Sequence, residues 1–218
     1  MGISVLWDKA IWEIRSLSNY KAIADVGYTL IKLLRDEMEN FGVDRESIVL
    51  FSPGEIDSND NIRLSLFLYQ VLENVHLKNQ ELQLSGPTKL TFPPLTLELY
   101  YILTSHPPSG SQDKTEKSRE EHEVLGRAVS VLYDHSVLKG SNLMGDLSED
   151  EELHITMTSL SLEDLTKIWT TFPNKPFRPS VCYLVTPVRI DSEREMGVQR
   201  VISKKTSHDY MVSEKGEK

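Results

Sequence analysis

The residues of this sequence that could carry chemistry are its six histidines, its single cysteine and two acidic stretches. A zinc site needs several His or Cys ligands at short spacings, such as the H-E-x-x-H pair on one face of a helix. That pair does not occur, and the histidines are scattered. They are His76, His106, His122, His135, His154 and His208. The sequence therefore predicts no metal site.

The first acidic stretch, Asp57–Asn61, resembles the start of a calcium-binding loop. Such a loop requires Gly at its sixth position for a sharp turn and Glu at its twelfth as a bidentate ligand. The sequence places Ile62 and Leu68 at those positions, so a turn between two strands is the better interpretation. The second stretch, Asp146–Glu152, is a charge run typical of a solvated loop.

The sequence also lacks the motifs of nucleophilic catalysis and phosphate binding. It contains no G-x-S-x-G elbow, no G-x-x-x-x-G-K-[ST] loop and no G-x-G-x-x-G loop. Cys182 lies in an apolar strand pattern, which favours a buried and unreactive thiol. The sequence predicts no enzyme and no cofactor. The alternative is a small hydrolase that uses His135 or His154 with nearby carboxylates in a deep polar pocket.

The composition is that of a globular protein that can bury its own core. The chain has 218 residues, of which 39% are hydrophobic and 26% charged. Its net charge of −9 and pI of about 5.2 disfavour a surface for nucleic acid. No apolar run approaches the ~20 residues of a membrane-spanning helix. Neither nucleic acid nor a membrane is therefore expected as a partner.

Apolar residues at helical spacing predict about three helices. The first spans about Tyr20–Phe41. The second begins with a capping box of Ser118 and Glu121, and the third begins at Ser161. Gly126 in the second helix suggests a closely packed neighbour. The stripes predicted to be buried are Ile23, Val26, Leu30, Leu33, Leu34, Met38 and Phe41; Leu125, Ala128, Val129 and Leu132; and Leu162, Leu165, Ile168, Trp169 and Phe172.

Alternating and apolar segments predict a mixed sheet of five or six strands flanked by these helices, an α/β fold of the α+β kind. Arg63–Val71 is apolar on both faces, so it is predicted to be central and covered on both sides. Val75–Leu84 alternates weakly and is predicted to be an edge strand or a hairpin arm. Pro187 indicates an edge or a bulge in the second half of the last strand. The other strands are Ser47–Ser52, Leu95–Thr104, Leu153–Leu160 and Val181–Ile190.

The chain divides into three predicted parts. Residues 1–18 form an N-terminal extension with the pattern of a short amphipathic helix. Residues 19–192 form the α/β domain. Residues 193–218 are polar and mixed in charge, which predicts a mobile tail. The residues at helical spacing in the extension are Trp7, Ala10, Ile11 and Ile14.

Six segments with apolar cores stand in a fixed order along the chain. They are Tyr20–Leu34, Ser47–Asp57, Arg63–Asn74, Pro93–Thr104, Val124–Leu138 and Leu160–Ser192. In order and spacing they resemble the N-terminal domain of the cap, or tail-terminator, family of phage-tail-like extracellular contractile injection systems. This family includes the caps of the antifeeding prophage and of virulence-cassette particles. The resemblance rests on structural segments and points to no catalytic residue.

The resemblance implies a structural protein with a mixed sheet flanked by helices. Six copies of such a cap form a ring at the end of the particle distal to the baseplate. The ring stops elongation of the inner tube and fastens the last ring of the contractile sheath. The expected partners are therefore further copies of this chain, the sheath protein and the inner tube protein. We expect assembly in the cytoplasm and then a place in a phage-tail-like particle.

A cap must dock against its neighbours, and strand addition to an exposed sheet edge is the expected mode for the sheath. The predicted docking edges are Val75–Leu84 and the outer half of Val181–Ile190. The loop Ser105–Lys117 and the C-terminal tail are alternative contact sites. An alternative function is that of an adaptor or chaperone that binds sheath or cargo outside the particle.

Overall fold

The structure is a computed structural model that describes residues 19–57, 59–78, 80–84, 88–109, 113–147 and 151–197. The chain divides into two compact units. The first takes the residues up to 80 and residues 94–191, and the second takes residues 81–93 and those from 192 onward. The helix predicted within residues 1–18 lies outside the described residues, as does the predicted tail from residue 198.

The described residues of the first unit form three α-helices and one six-stranded sheet with the strand order β1-β2-β5-β8-β7-β6. Neighbouring strands are antiparallel except β1 and β2, which are parallel. This confirms the predicted mixed sheet with about three helices. The elements are α1 (Ala22–Met38), β1 (Ile48–Val49), β2 (Leu64–Glu73), β3 (Gln83–Leu84), β4 (Lys89–Thr91), β5 (Leu95–Ser105), α2 (Lys114–Asp134), β6 (Val137–Lys139), β7 (Glu152–Thr158), α3 (Leu162–Trp169), β8 (Ser180–Ile190) and β9 (Glu195–Gly197).

The predicted stripe of α1 packs into the main core. Val26, Leu30 and Leu34 recur about once per turn and are buried, so this helix covers one face of the sheet together with α2. Gly42 follows the helix in the left-handed region at φ 73°, a conformation that glycine adopts without steric cost. Phe41 does not join the core: its ring lies 56% exposed under the guanidinium of Arg127.

The N-terminus of α2 differs from the predicted capping box. The helix begins one turn earlier, and the Asp113 side chain accepts a hydrogen bond from the Thr115 amide. Ser118 therefore lies inside the helix, where no free amide needs a cap, and Glu121 is buried. The close packing predicted at Gly126 is also wrong, because a Cβ there would meet nothing within 4 Å.

The buried stripe of α2 is rotated from the predicted one. Leu125 and Val129 are only half-buried, although Leu125 packs against the edge of the core. Glu121 lies on the buried side and pairs there with Arg178. The buried residues are Glu121, Val124, Ala128, Val131 and Leu132.

Helix α3 covers the other face of the sheet near the start of β2. Ser161 is the N-cap, as predicted, and its hydroxyl accepts from the Asp164 amide at 3.1 Å. Trp169 and Phe172 are buried, and the Phe172 ring meets the Phe67 ring edge-on at 5.9 Å. Leu162, predicted to point inward, is 72% exposed because it lies in the first turn of a helix of only eight residues.

Strand β8 contains the bulge that Pro187 predicted. Leu97 pairs with Val188, whereas Leu99 pairs with Val185. Three steps along β8 therefore face two steps along β5, which places one extra residue in β8 at Thr186–Pro187. Proline is tolerated there because a bulged residue need not donate to the ladder.

The second unit contains a three-stranded antiparallel sheet with the order β3-β4-β9. Gln83–Leu84 is thus a hairpin arm, in agreement with one of the two predictions for Val75–Leu84. The earlier part of that segment forms a turn, in which the Asn74 side chain accepts from the His76 amide. Glu195–Gly197, within the predicted tail, forms a strand whose Glu195 pairs with Lys89 at 2.6 Å.

Candidate functional site

The edge of β2 is open over most of its length. β1 pairs with β2 only through Ile48 with Leu64 and Val49 with Ser65. β2 continues to Glu73, and no other strand of the described ranges pairs with that side. The backbone N–H and C=O groups that point to this side can therefore accept an added strand.

This open edge corrects the prediction that Arg63–Val71 is a central strand covered on both sides. The strand is covered at Leu64, but Val71 and Leu72 are 40% and 43% exposed. The cause is a difference in length, because β1 has two residues and β2 has ten. A short helical turn at Pro53 follows β1 closely. This proline is visible in the sequence, and a comparison of the two strand lengths could have predicted the overhang.

An apolar groove of about 320 Å³ lies beside the open edge. Four parts of the fold line it: the first turns of α1, the segment after β1, β2 and β5. Its lining is mostly apolar and half-buried, and one carboxylate stands at the exposed rim. The lining residues are Ile23, Ala24, Gly27, Leu50, Phe51, Ser52, Glu55, Phe67, Leu68 and Tyr101.

Gly27 determines the width of the groove. A Cβ at this position would lie 2.8 Å from Cδ2 of Leu50 and 3.6 Å from the hydroxyl of Tyr101. Any side chain here would therefore displace Leu50, which lines the groove. Burial raises the pKa of the Tyr101 phenol well above its usual range, so that group is neutral. The groove thus offers an apolar surface that suits apolar side chains.

A second open edge lies at the outer half of β8. β7 pairs with β8 only as far as His154 with Thr186, whereas β5 follows β8 to the pair of Leu95 with Ile190. On the β7 side, Val188–Ile190 consequently have no strand partner within the described part of the chain. Val188 is fully buried, so the part of this predicted docking edge that an added strand could reach is Arg189–Ile190, which is half-buried.

A buried polar pair lies where β2 begins and β5 ends. Ser65 Oγ and His106 Nε2 are 2.9 Å apart. Burial, with smaller effects of Arg178 and Lys175, lowers the pKa of His106 to about 4, so the imidazole is neutral at neutral pH. A nucleophilic serine must be reachable by substrate, but Ser65 is 0% exposed. The pair therefore holds two strands together and has no access to a substrate.

The two histidines of the hydrolase alternative do not meet in a polar pocket. His135 Nδ1 lies 3.0 Å from the Val131 carbonyl oxygen at the end of α2, and its Nε2 lies 4.0 Å from Glu37. His154 is half exposed beside Glu152. Neither histidine lines the groove. Across the described ranges, no group of three His, Cys, Asp or Glu side chains is placed to hold a metal ion.

Cys182 is buried as predicted, at 4% exposure. Burial raises the pKa of its thiol, which disfavours the reactive thiolate. Burial likewise raises the pKa of the neighbouring Tyr69 to about 12. No helix of the described segments has the length and apolar character required to cross a membrane.

A family model described as the Pvc16 N-terminal domain matches residues 25–204. The match takes in both open edges and nearly all of the groove lining. The chain belongs to the Pvc16 N-terminal domain family. This confirms the resemblance to the cap family that the apolar segments indicate. No curated protein matches the sequence.

Two solved structures share the fold of this Pvc16 N-terminal domain protein. One is the sheath/tube terminator of the PVC extracellular contractile injection system in its extended state, with 17% identity, a TM-score of 0.61 and coverage of 88% of this chain and 64% of that chain. The other is the tube-terminating cap of the anti-feeding prophage, with 19% identity, a TM-score of 0.57 and coverage of 85% and 61%. The chain thus spans less than two thirds of each of these proteins.

Proposed function

We propose that this protein is the structural cap of a contractile injection particle. Six copies form a ring at the end distal to the baseplate, stop elongation of the inner tube and fasten the last sheath ring. Copies assemble in the cytoplasm and then become part of the particle. The ring acts by binding and not by catalysis.

The observation that carries this proposal is the Pvc16 family match over residues 25–204. The fold shared with one protein named a sheath/tube terminator and another named a tube-terminating cap supports the same role. A terminator needs a stiff body with heterologous contacts that close into a ring. The long central strands β5 and β8, of eleven residues each, supply such a body.

The outer half of β8 is the proposed attachment edge for the sheath. Arg189 and Ile190 are half-buried and have no strand partner on the β7 side within the described residues, and the pairing with β7 ends at Thr186, just before the bulge at Pro187. An extended sheath segment that adds to this side would complete the ladder with main-chain hydrogen bonds. Val75–Leu84 is a weaker candidate, because within the described residues only Gln83–Leu84 of that segment is a strand.

The test is electron microscopy of contractile particles from cells that carry or lack this chain. With the chain, tails of uniform length should show a density at the baseplate-distal end, and an antibody or tag on this protein should label that end. Without it, tails should be absent, unstable or overgrown. Complementation with Gly126→Ala, a change in open space, should restore uniform tails. Unchanged particles in the deletion strain, or a protein that never labels the particle end, would contradict the cap role and favour an adaptor outside the particle.

A further inference from the structure

The groove beside β2 is an apolar surface open to solvent. Leu50, Phe51, Phe67 and Leu68 are half-buried in its lining, so each leaves part of an apolar side chain in water. A concave and mostly apolar cleft of this volume is a common kind of binding site. The occupant therefore has to be apolar and must be able to reach this position.

The N-terminal segment, residues 1–18, joins the described structure at the groove. Tyr20 is 79% exposed and lies one helical turn before Ala24, which lines the groove. The turn between them is held in place, because Asn19 Nδ2 and Lys21 Nζ donate to the same Asp146 oxygen at 2.9 Å and 3.2 Å. The Asp146 amide also donates to the Asp25 carboxylate of α1, on the side of the helix away from the groove, so the tether fixes only where the segment starts, within one helical turn of Ala24.

The chemistry of the segment matches the groove. It contains two of the three tryptophans of the chain. The helical spacing of Trp7, Ala10, Ile11 and Ile14 predicts one apolar face. An apolar helix face laid in an apolar groove is a common mode of recognition. The apolar residues of the segment are Met1, Ile3, Val5, Leu6, Trp7, Ala10, Ile11, Trp12, Ile14 and Leu17.

We propose that residues 1–18 bind in the groove beside β2 of the same copy of the protein. The tether at Asn19 makes the contact intramolecular, with an effective concentration on the order of millimolar for a short connection. A second copy would have to supply the same segment at its concentration in solution. The same-copy contact is therefore favoured in the free protein. This contact is independent of the cap role.

Photo-crosslinking of the full-length chain tests the position of the segment. Glu55→Cys puts a thiol at the exposed rim of the groove for a benzophenone label, while Cys182 is too buried to react. After irradiation, the crosslinked peptides should fall within residues 1–18, in a product of monomer mass. Products that join two copies would overturn the same-copy assignment, and labels that never reach residues 1–18 would overturn the contact itself.

A matched pair of variants on α1 tests whether the crosslink depends on the apolar lining of the groove. Ala24→Glu places a charge in the lining at an exposed position, whereas Tyr28→Glu places it one turn further along, at a position that is also exposed and outside the groove. The crosslink yield should fall roughly tenfold in Ala24→Glu, because burial of a charge is costly, and should be unchanged in Tyr28→Glu. Equal yields in the two variants would overturn the proposal.

Fluorescence quenching by iodide provides a second measurement that needs no label. Trp169 is only 5% exposed and contributes a protected background, so changes report on Trp7 and Trp12. In the wild-type chain and in Tyr28→Glu, Trp7 on the apolar face should be protected, whereas Trp12, about 140° away around a helix, should stay accessible. In Ala24→Glu, Trp7 should become accessible as well, and equal quenching in all three proteins would contradict the docking.

Discussion

The Arg178 guanidinium donates a hydrogen bond of 3.0 Å to the Glu121 carboxylate and so joins the segment before β8 to helix α2. The Glu121 side chain is 8% exposed and that of Arg178 is 28% exposed. A carboxylate this deeply buried needs a cation, because desolvation strongly disfavours an unpaired charge. The ion pair therefore keeps the side of α2 that carries Glu121 turned toward the segment before β8.

Removal of the cation should destabilise the domain. In Arg178→Ala the Glu121 carboxylate loses its partner while it remains buried, so the free energy of unfolding should fall by about 2 kcal/mol. Urea unfolding followed by circular dichroism measures this change. The control is Lys167→Ala, which removes two exposed pairs, with Glu163 and Asp164, and should leave the midpoint nearly unchanged. Equal midpoints for the wild type and Arg178→Ala would show that the pair contributes nothing.

The buried His106 should make stability depend on pH between about 6.5 and 4. Its folded-state pKa of about 4 lies below the ordinary value of 6.5, mainly because of burial, so the folded state resists protonation. The stabilising contribution is therefore complete above pH 6.5 and is lost as the pH falls toward 4. A shift of this size corresponds to a loss on the order of 3 kcal/mol.

The His106→Gln variant isolates this contribution. It keeps a polar group beside Ser65 but cannot take up a proton in this range. The difference in unfolding free energy between the wild type and the variant should change between pH 6.5 and 4 and be constant above pH 7. A difference in unfolding free energy that stays constant from pH 7 to pH 4 would mean that the His106 side chain is solvated in the folded protein.

The two helical glycines should respond oppositely to a methyl group. Gly126→Ala adds it in open space and should raise the free energy of unfolding by about 0.5–1 kcal/mol, the difference in helix propensity. Gly27→Ala brings the methyl 2.8 Å from Leu50, which must move. The stability gained from helix propensity should therefore be lost. Thermal unfolding of the two variants side by side checks the contrast, and equal stabilisation would show that Leu50 adjusts at no cost.

The sequence predicted the parts of the fold that local patterns determine. The stripe of α1, except for Phe41, and the bulge that was one of two predictions at Pro187 depend on neighbouring residues, and both are confirmed. The strand Glu195–Gly197 depends on a partner distant in the chain, so no local pattern could reveal it. The open edge of β2 depends on a comparison of two strands, β1 and β2, which the pattern of either strand alone does not provide. The groove was missed for the same reason, because Gly27 and Tyr101 come from separate elements.

Proline substitution on β8 tests the proposed sheath edge. Successive amides of an antiparallel strand point to opposite sides, so one of Arg189 and Ile190 donates to β5 and the other faces the open side. The proline variant that keeps the melting temperature of the free protein identifies the open-side position. Particles with that variant should lose sheath attachment, as seen by electron microscopy, whereas alanine at the same position should retain it. Normal sheaths in the folded proline variant would place the attachment elsewhere.

The pairing of β5 with β8 also determines when the protein can fold during its synthesis. Tyr101 pairs with Tyr183, so the central pair of strands cannot form until β8 has left the ribosome. Such long-range contacts make folding slow compared with helical proteins of similar size. A nascent chain that ends before β8 leaves one side of β5 unpaired, and an unpaired strand edge in an incompletely folded chain favours aggregation.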